Sequence, residues 1–179
     1  MLNYGHISNA RSLMLYGFCL SDNPFASVEV FASVEQLSAA KRELLVSFGI
    51  ELPFVIRKDK IFPMELLVYL RLFLSDNDFD DKLHIANRQI VSQDIEKCAC
   101  KVMLDVLGDM LEGYNVGLSL EEDTQESEGS VVEEDQPASF LPPCCRRGHA
   151  RILVLSEKLL LRAAIAAVQS YIDRDFSLI

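Results

Sequence analysis

The sequence predicts a mainly α-helical chain with a short region of β-structure near its start. Apolar residues recur at helical spacing in four separate stretches after residue 33, whereas strand-like alternation is confined to short runs. Half of the 179 residues are hydrophobic, which is typical of a globular chain that buries a sizeable core. We therefore expect a helical domain that follows a small N-terminal unit.

The first 25 residues predict one small helix between a strand end and a turn. Leu2 to Tyr4 forms the strand end, Gly5-His6 the turn, and Asn9 to Leu15 the helix. Ser8 is the predicted N-cap because its side-chain oxygen can accept a hydrogen bond from an amide of the first turn. Gly17 can adopt the left-handed conformation that ends a helix.

The next stretch predicts two strands around a second helix. Ser27 to Phe31 alternates weakly, and Leu52 to Ile56 resembles half of a hairpin with Ile61 on its far side. Ser33 to Gln36 forms a capping box, and the helix it opens ends at Gly49. The expected buried stripe of this helix consists of Leu37, Ala40, Leu44 and Phe48.

Three further helices are predicted from their apolar stripes. The first starts at Pro63 as its first residue, the second spans about Ser92 to Tyr114, and the third runs from Arg146 or His149 to Arg174. We expect the last two to pack antiparallel. The predicted buried stripe of the first helix is Leu66, Leu67, Leu70, Phe73 and Leu74, and that of the second is Ile95, Ala99, Val102, Val106 and Met110. The stripe of the third helix is Ile152, Leu155, Leu159, Ala163 and Ala166, widened by Leu160, Ala164 and Ala167.

An acidic stretch separates the last two helices. Residues 118–143 carry eight acidic side chains and no Lys or Arg. A run of this composition buries too little apolar surface to offset the entropy lost on ordering, so the stretch predicts a disordered loop. Docking of basic substrates on this loop is the alternative interpretation.

Several short motifs together resemble a known family. The N-terminal pattern is Asn3-Tyr4-Gly5, Ser8-Asn9, Leu15-Tyr16-Gly17-Phe18 and Asp22-Asn23-Pro24. It resembles the end of a SET domain, in the branch typified by the Rubisco large-subunit methyltransferase. Pro63 to Leu72, and later Arg151 with Ser156-Glu157-Lys158, resemble the start and the end of that family's helical substrate-binding domain.

The resemblance implies roles for three aromatic residues. Tyr4 corresponds to the catalytic tyrosine, and Tyr16 and Phe18 correspond to walls of the channel that admits the substrate lysine. Methyl transfer from S-adenosylmethionine requires a neutral amine aligned in a narrow, dry site, and aromatic faces suit such an amine. We therefore expect Tyr4 as the catalytic residue and Tyr16 and Phe18 as the substrate-lysine channel.

The family's cofactor-binding motifs are missing from these residues. The chain contains no Gly-x-Gly and no Asn-His pair. We therefore expect a truncated chain that binds no S-adenosylmethionine by itself and is inactive alone. Residues 1–25 would be the C-terminal end of a SET domain, with its β remnant, and residues 26–179 a helical substrate-binding domain.

This domain organisation predicts a fragment of a SET-type protein-lysine N-methyltransferase that acts on non-histone proteins. The substrate-binding domain would be retained. The alternative is a non-catalytic helical module for protein interaction. The coding sequence upstream of Met1 discriminates between them, because an in-frame Gly-x-Gly and Asn-His would support the enzyme.

The charge of the chain limits its partners. A net charge of −10 argues against nucleic acid and suits a lysine-bearing protein substrate. Charged residues interrupt each apolar stretch, so we expect neither a signal peptide nor a membrane span, and a monomer inside the cell. The resemblance is compatible with the chloroplast, and otherwise with the cytoplasm or nucleus.

The cysteines and histidines offer weaker candidates for a site. The five cysteines form no disulfide framework, and reduced thiols are expected. Cys98-x-Cys100 and Cys144-Cys145 with His149 could together supply a zinc site, but neither spacing is that of a structural zinc site. We therefore expect no metal.

Overall fold

The computed structural model describes residues 6–75, 90, 92–114 and 146–176, with the side chains of 146 and 147 left aside. The described part is mainly helical, as the sequence predicts. The predicted strand end at Leu2 to Tyr4 and the predicted acidic loop at 118–143 lie outside it. The elements in chain order are α1 (Asn9–Tyr16), β1 (Ser27–Val30), α2 (Ala39–Ser47), β2 (Phe54–Arg57), α3 (Met64–Leu74), α4 (Gln93–Gly113) and α5 (Arg146–Asp173).

Helix α1 has both of the predicted caps. The Ser8 side chain accepts a hydrogen bond from the Arg11 amide at 3.3 Å, which satisfies one of the free amides of the first turn. Gly17 has φ of 77°, and its amide donates to the Leu13 carbonyl at 3.0 Å. A side chain other than glycine would be strained in this left-handed conformation, so the sequence Tyr-Gly-Phe fixes where the helix ends.

The two strands pair with each other in an antiparallel sheet. Ser27 lies opposite Arg57, and Val30 lies opposite Phe54. The predicted hairpin with Ile61 is reduced to a tight turn, in which Arg57 and Lys60 exchange two backbone hydrogen bonds, and no strand forms at Ile61. Alternate residues of both strands are buried, so pairing β1 with β2 creates one apolar face that packs against α5.

Helix α2 begins later than its capping box predicts. The N-cap is Ser38, whose side chain accepts from the Lys41 amide, and the helix starts at Ala39. Ser33 instead accepts from the Glu35 amide at 3.3 Å in a local turn, and Leu37 is buried ahead of the helix. Within the predicted stripe, Leu44 is half-buried and Ala40 is exposed. The competing serine explains the error, because both serines precede suitable first turns.

Helix α3 is the central apolar element. It begins at Met64, so Pro63 is its N-cap residue and not its first helical residue. Seven consecutive residues, 66 to 72, are buried, which shows that the helix is covered on most of its circumference. Leu66, Leu67 and Leu70 are buried as predicted, whereas Phe73 is 40% exposed.

The two longest helices pack antiparallel, as predicted. Tyr114 at the end of α4 donates to Glu157 in α5, and Glu96 at the start of α4 accepts from Tyr171 near the end of α5. The predicted faces are right only in part: Ala99, Leu160 and Ala164 are buried as predicted, whereas Val102 is 37% and Leu159 63% exposed. The buried residues are Glu96, Ala99, Cys100, Met103 and Leu107 in α4, and His149, Lys158, Leu160, Leu161, Ala164, Val168 and Tyr171 in α5.

A buried ion pair connects α3, α4 and α5. Arg71 donates through Nε to Glu96 Oε2 at 2.8 Å and through Nη2 to Oε1 at 2.7 Å. The Tyr171 hydroxyl donates to the same Oε1 at 2.7 Å and accepts from Arg71 Nη2 at 3.3 Å. Burial, with Glu96 second, raises the pKa of Tyr171, and burial raises that of nearby Cys100 to about 12, so the phenol and the thiol both stay protonated.

The described helices also bear on two expectations of the sequence. None of them is both long and apolar enough to cross a membrane. Within the same residues, no group of three or more His, Cys, Asp or Glu side chains could hold a metal ion. Cys98 is exposed and Cys100 is buried, so the two thiols point to different sides of α4. Cys144 and Cys145 lie outside the described part.

Candidate functional site

The candidate channel residues Tyr16 and Phe18 lie together at the end of α1. The left-handed Gly17 between them turns the chain, so that the two rings stack with their centroids 6.2 Å apart and 30° between their planes. Tyr16 is 50% exposed and Phe18 is half-buried, which leaves aromatic surface accessible. The third predicted site residue, Tyr4, lies outside the described residues.

Two buried asparagines hold this segment in shape. Asn9 donates from Nδ2 to the Leu20 carbonyl at 2.9 Å and accepts at Oδ1 from the Leu20 amide at 3.1 Å. Asn23 donates to the Ile7 carbonyl at 2.9 Å and to Asn9 Oδ1 at 3.0 Å. Both side chains are almost fully buried, so these bonds replace water and close residues 7–23 into one compact loop around α1.

The N-terminal segment, residues 6–25, is attached to α5 through a buried hydrogen bond. The Cys19 amide donates to Nδ1 of His149 at 3.1 Å, across 130 positions of sequence. The Cys19 thiol donates to the Asn9 carbonyl at 3.6 Å. Burial, with the Glu157 charge second, raises the pKa of Cys19 to about 11, which keeps the thiol neutral and poorly nucleophilic. Cys19 is therefore a structural residue.

Glu157 brings a second polar contact to this junction. The Tyr114 hydroxyl donates to Glu157 Oε2 at 2.6 Å. Burial raises the pKa of Glu157 and the pKa of Tyr114, and the nearby carboxylate of Glu29 also acts on Glu157. The sequence resemblance singled out Glu157, but it did not predict this contact with α4.

A cleft of about 470 Å³ lies between the N-terminal segment and the outer face of the sheet. One wall carries the stacked rings of His6 and Phe25, whose centroids are 4.2 Å apart. The floor is formed by the exposed residues of both strands. The cleft is lined by His6, Ser8, Arg11, Pro24, Phe25, Ser27, Glu29, Val55, Arg57 and Asp59.

The cleft presents charges of both signs. Arg11 and Arg57 contribute two cations, and Glu29 and Asp59 contribute two anions. Arg57 Nε lies 3.5 Å from Asp59 Oδ1, with both side chains well exposed, so solvent screens this pair. A mixed, partly aromatic surface of this kind fits a polypeptide better than a small anion.

The fold defines a class of protein: a mainly α-helical domain, built on two long antiparallel helices, that carries a docked aromatic segment. The family model described as Rubisco LSMT substrate-binding matches residues 33–161, which is more than half of the chain. The chain therefore belongs to the Rubisco LSMT substrate-binding family. A search of curated proteins found no match.

This assignment confirms the resemblance that the helical part of the sequence predicts. The matched range includes Pro63 to Leu72 and the Ser156 to Lys158 motif, both of which carry that resemblance. Membership of a substrate-binding family implies a protein substrate as the partner. Tyr4, Tyr16 and Phe18 lie ahead of the matched residues, so their roles stay predictions.

Sequence reasoning missed His149 as a site residue. It treated this histidine as a possible helix start or zinc ligand, whereas the structure buries it against Cys19. A single histidine on an apolar helix carries no signal for a partner 130 positions away. The polar residues Asn9 and Asn23 likewise have no sequence signature for the hydrogen bonds they make.

Proposed function

We propose that this chain recognises a lysine-bearing, non-histone protein substrate for a SET-type protein-lysine methyltransferase. The observation that carries the proposal is the match to the Rubisco LSMT substrate-binding family over residues 33–161. The aromatic pair of Tyr16 and Phe18 supports it, because the two rings are held against the same helical domain by the Cys19–His149 bond.

Each aromatic residue has a proposed role in this function. Tyr16 and Phe18 form part of the channel for the substrate lysine, since the face of an aromatic ring attracts a cationic amine and its edge packs against the apolar stem. Tyr4 is the proposed catalytic residue, whose hydroxyl would hydrogen-bond at the site of methyl transfer. S-adenosylmethionine supplies the methyl group in such enzymes, and we assign no residue of this chain to its binding.

The charge of the chain supports a basic partner. A net charge of −10 raises the local concentration of cationic polypeptides near the surface and speeds their encounter with it. The field is screened within about 8 Å at physiological ionic strength, so it selects the class of partner and not the individual lysine. The individual lysine is selected by the aromatic pair.

A peptide array tests lysine recognition directly. The 179-residue chain is applied to arrayed peptides that contain lysine and to copies in which the lysine is replaced by arginine or acetyl-lysine. We expect binding to follow the free lysine, because the proposed channel accommodates a narrow alkyl-ammonium group. Binding that ignores these replacements would contradict the proposal and support the alternative of a helical interaction module.

Two variants of exposed residues assign this recognition to the aromatic pair. Tyr16→Ala is expected to reduce the preference for lysine about two- to fivefold, which corresponds to a cation–π contact of about 0.5–1 kcal/mol at an exposed site. Met14→Ala is the matched control, since Met14 lies on the same helix and is 78% exposed. An equal effect of both substitutions would argue against a channel at Tyr16.

A further inference from the structure

His149 occupies an unusual position for a titratable group. It is only 6% exposed, and its Nδ1 accepts the hydrogen bond from the Cys19 amide at 3.1 Å. A nitrogen that accepts a hydrogen bond carries no proton, so the bond requires the neutral imidazole with its proton on Nε2. The Cys19–His149 bond and the protonated imidazolium therefore exclude each other.

We propose that His149 is a positioning residue that fixes Tyr16 and Phe18 on the helical domain through the backbone amide of Cys19, and that its protonation releases the N-terminal segment. Phe18 directly precedes Cys19, so a shift of this amide moves the ring beside it. The meaning of this release for lysine recognition rests on the proposed function. The docking and its dependence on pH do not.

The Cys19–His149 bond is well placed to control docking because it is buried. Another polar link between the segment and the domain joins Lys58 Nζ to Asp22 Oδ1 at 2.9 Å, with side chains that are 45% and 96% exposed. Solvent weakens such a surface pair. Loss of the buried bond would leave the Cys19 amide without a partner in an apolar setting, which is the more costly change.

The other titratable groups around the Cys19–His149 bond either keep one protonation state or favour the folded state as the pH falls. Burial keeps the Cys19 thiol protonated, and Tyr114 is a protonated donor to Glu157. Burial raises the pKa of Glu157, with Glu29 contributing, so Glu157 stabilises the folded state less as the pH rises. Arg151 on α5 keeps its charge at every relevant pH.

The sign of the pH dependence follows from these assignments. The released state binds one more proton at His149 than the docked state, so docking is present at neutral pH and is lost as the pH falls. Glu157 would strengthen the folded state on acidification. Loss of docking on acidification that is absent when position 149 carries an acceptor that does not titrate would therefore identify His149.

Hydrogen exchange of the full chain tests the proposal. The amides of residues 9–23 are followed at pH 7.5 and pH 5.5, with rates corrected for the intrinsic effect of pH. We expect protection to fall on acidification by about tenfold or more, and by no more than about a hundredfold over the two pH units, because linkage to one proton permits at most about tenfold per unit. The amides of α3 are expected to keep their protection.

Two substitutions separate titration from structure. His149→Asn keeps an acceptor near the position of Nδ1 but does not titrate, so it should retain docking at both pH values. His6→Asn is the matched control on the exposed histidine of the same segment, and it should behave as the unmodified chain does. The proposal is overturned if the unmodified chain shows no loss of protection, or if His149→Asn shows the same loss.

The tautomer of His149 provides a test that needs no variant. Nitrogen-15 resonances of the imidazole ring at pH 7.5 should show a neutral ring protonated at Nε2. A ring protonated at Nδ1, or an imidazolium at this pH, would overturn the proposal. A failed peptide-array experiment would leave these results unchanged, so the two proposals fail separately.

Discussion

Replacing Glu96 with alanine is expected to destabilise the fold by about 3–5 kcal/mol, because it would leave the Arg71 guanidinium buried without its carboxylate. Arg71 and Glu96 have side-chain exposures of 1% and 0%, and Tyr171 also loses its acceptor in this variant. Among the described residues, Arg71 Nη1 already lacks a hydrogen-bond partner, so loss of Glu96 would leave still more of the buried guanidinium unsatisfied. Urea unfolding followed by circular dichroism measures the change.

Two controls separate burial of the charge from loss of the contact. Replacing Arg71, Glu96 and Tyr171 together with Met, Leu and Phe should cost much less than Glu96→Ala alone, since no uncompensated charge stays in the core. Lys58→Ala removes an exposed ion pair and should leave the unfolding midpoint nearly unchanged. A loss below about 1 kcal/mol for Glu96→Ala would contradict the assignment of a buried pair.

Truncation of Leu161 to alanine is expected to destabilise the fold by about 2–5 kcal/mol through the cavity it creates. Leu161 is fully buried between the packed elements. The same substitution at Leu159, two positions away on α5 and 63% exposed, should change stability by less than about 0.5 kcal/mol. Both variants remove the same atoms from the same helix, so the comparison reports only which face is buried.

The Leu159 and Leu161 pair also discriminates between two orientations of α5. The apolar stripe read from the sequence places Leu159 in the core, whereas the structure places Leu161 there. A large loss at Leu159 with a small loss at Leu161 would favour the orientation that the stripe predicts. Denaturant unfolding of the two single variants is sufficient.

Local chemistry explains the parts of the fold that the sequence predicts well. Ser8 and Gly17 cap α1, Ser92 caps α4, and each acts through its own neighbouring backbone groups. Hydroxyl caps and left-handed glycines depend on few residues, so short motifs specify them. Both ends of α1 and the start of α4 were therefore predictable to within a residue or two.

The buried faces of α4 and α5 depend on partners that short motifs do not contain. Each helix carries apolar residues on more than one side, and the stripe chosen from the sequence avoided the polar residues. The structure buries Glu96 in α4 because Arg71 and Tyr171 satisfy it, and it also buries Lys158 in α5. Polar residues on the core side shifted the true faces away from the apolar stripes.

In the candidate site, too, short motifs predicted local features, whereas contacts between residues distant in sequence were not predicted. The Tyr16-Gly17-Phe18 motif predicted an aromatic pair, and the structure stacks the two rings. The docking contact between Cys19 and His149 joins residues 130 positions apart and could not be read from spacing. Likewise, the cleft arises only when β1 pairs with β2 beside the N-terminal segment.

Calorimetric titration with S-adenosylmethionine tests the central proposal, that these 179 residues contribute the substrate side of a methyltransferase and not its cofactor side. The chain contains neither the Gly-x-Gly nor the Asn-His cofactor-binding motif of the SET-domain family that its first 25 residues resemble. We predict that the heats will not exceed those of dilution. A dissociation constant in the micromolar range, which corresponds to about −8 kcal/mol of binding free energy, would contradict this claim.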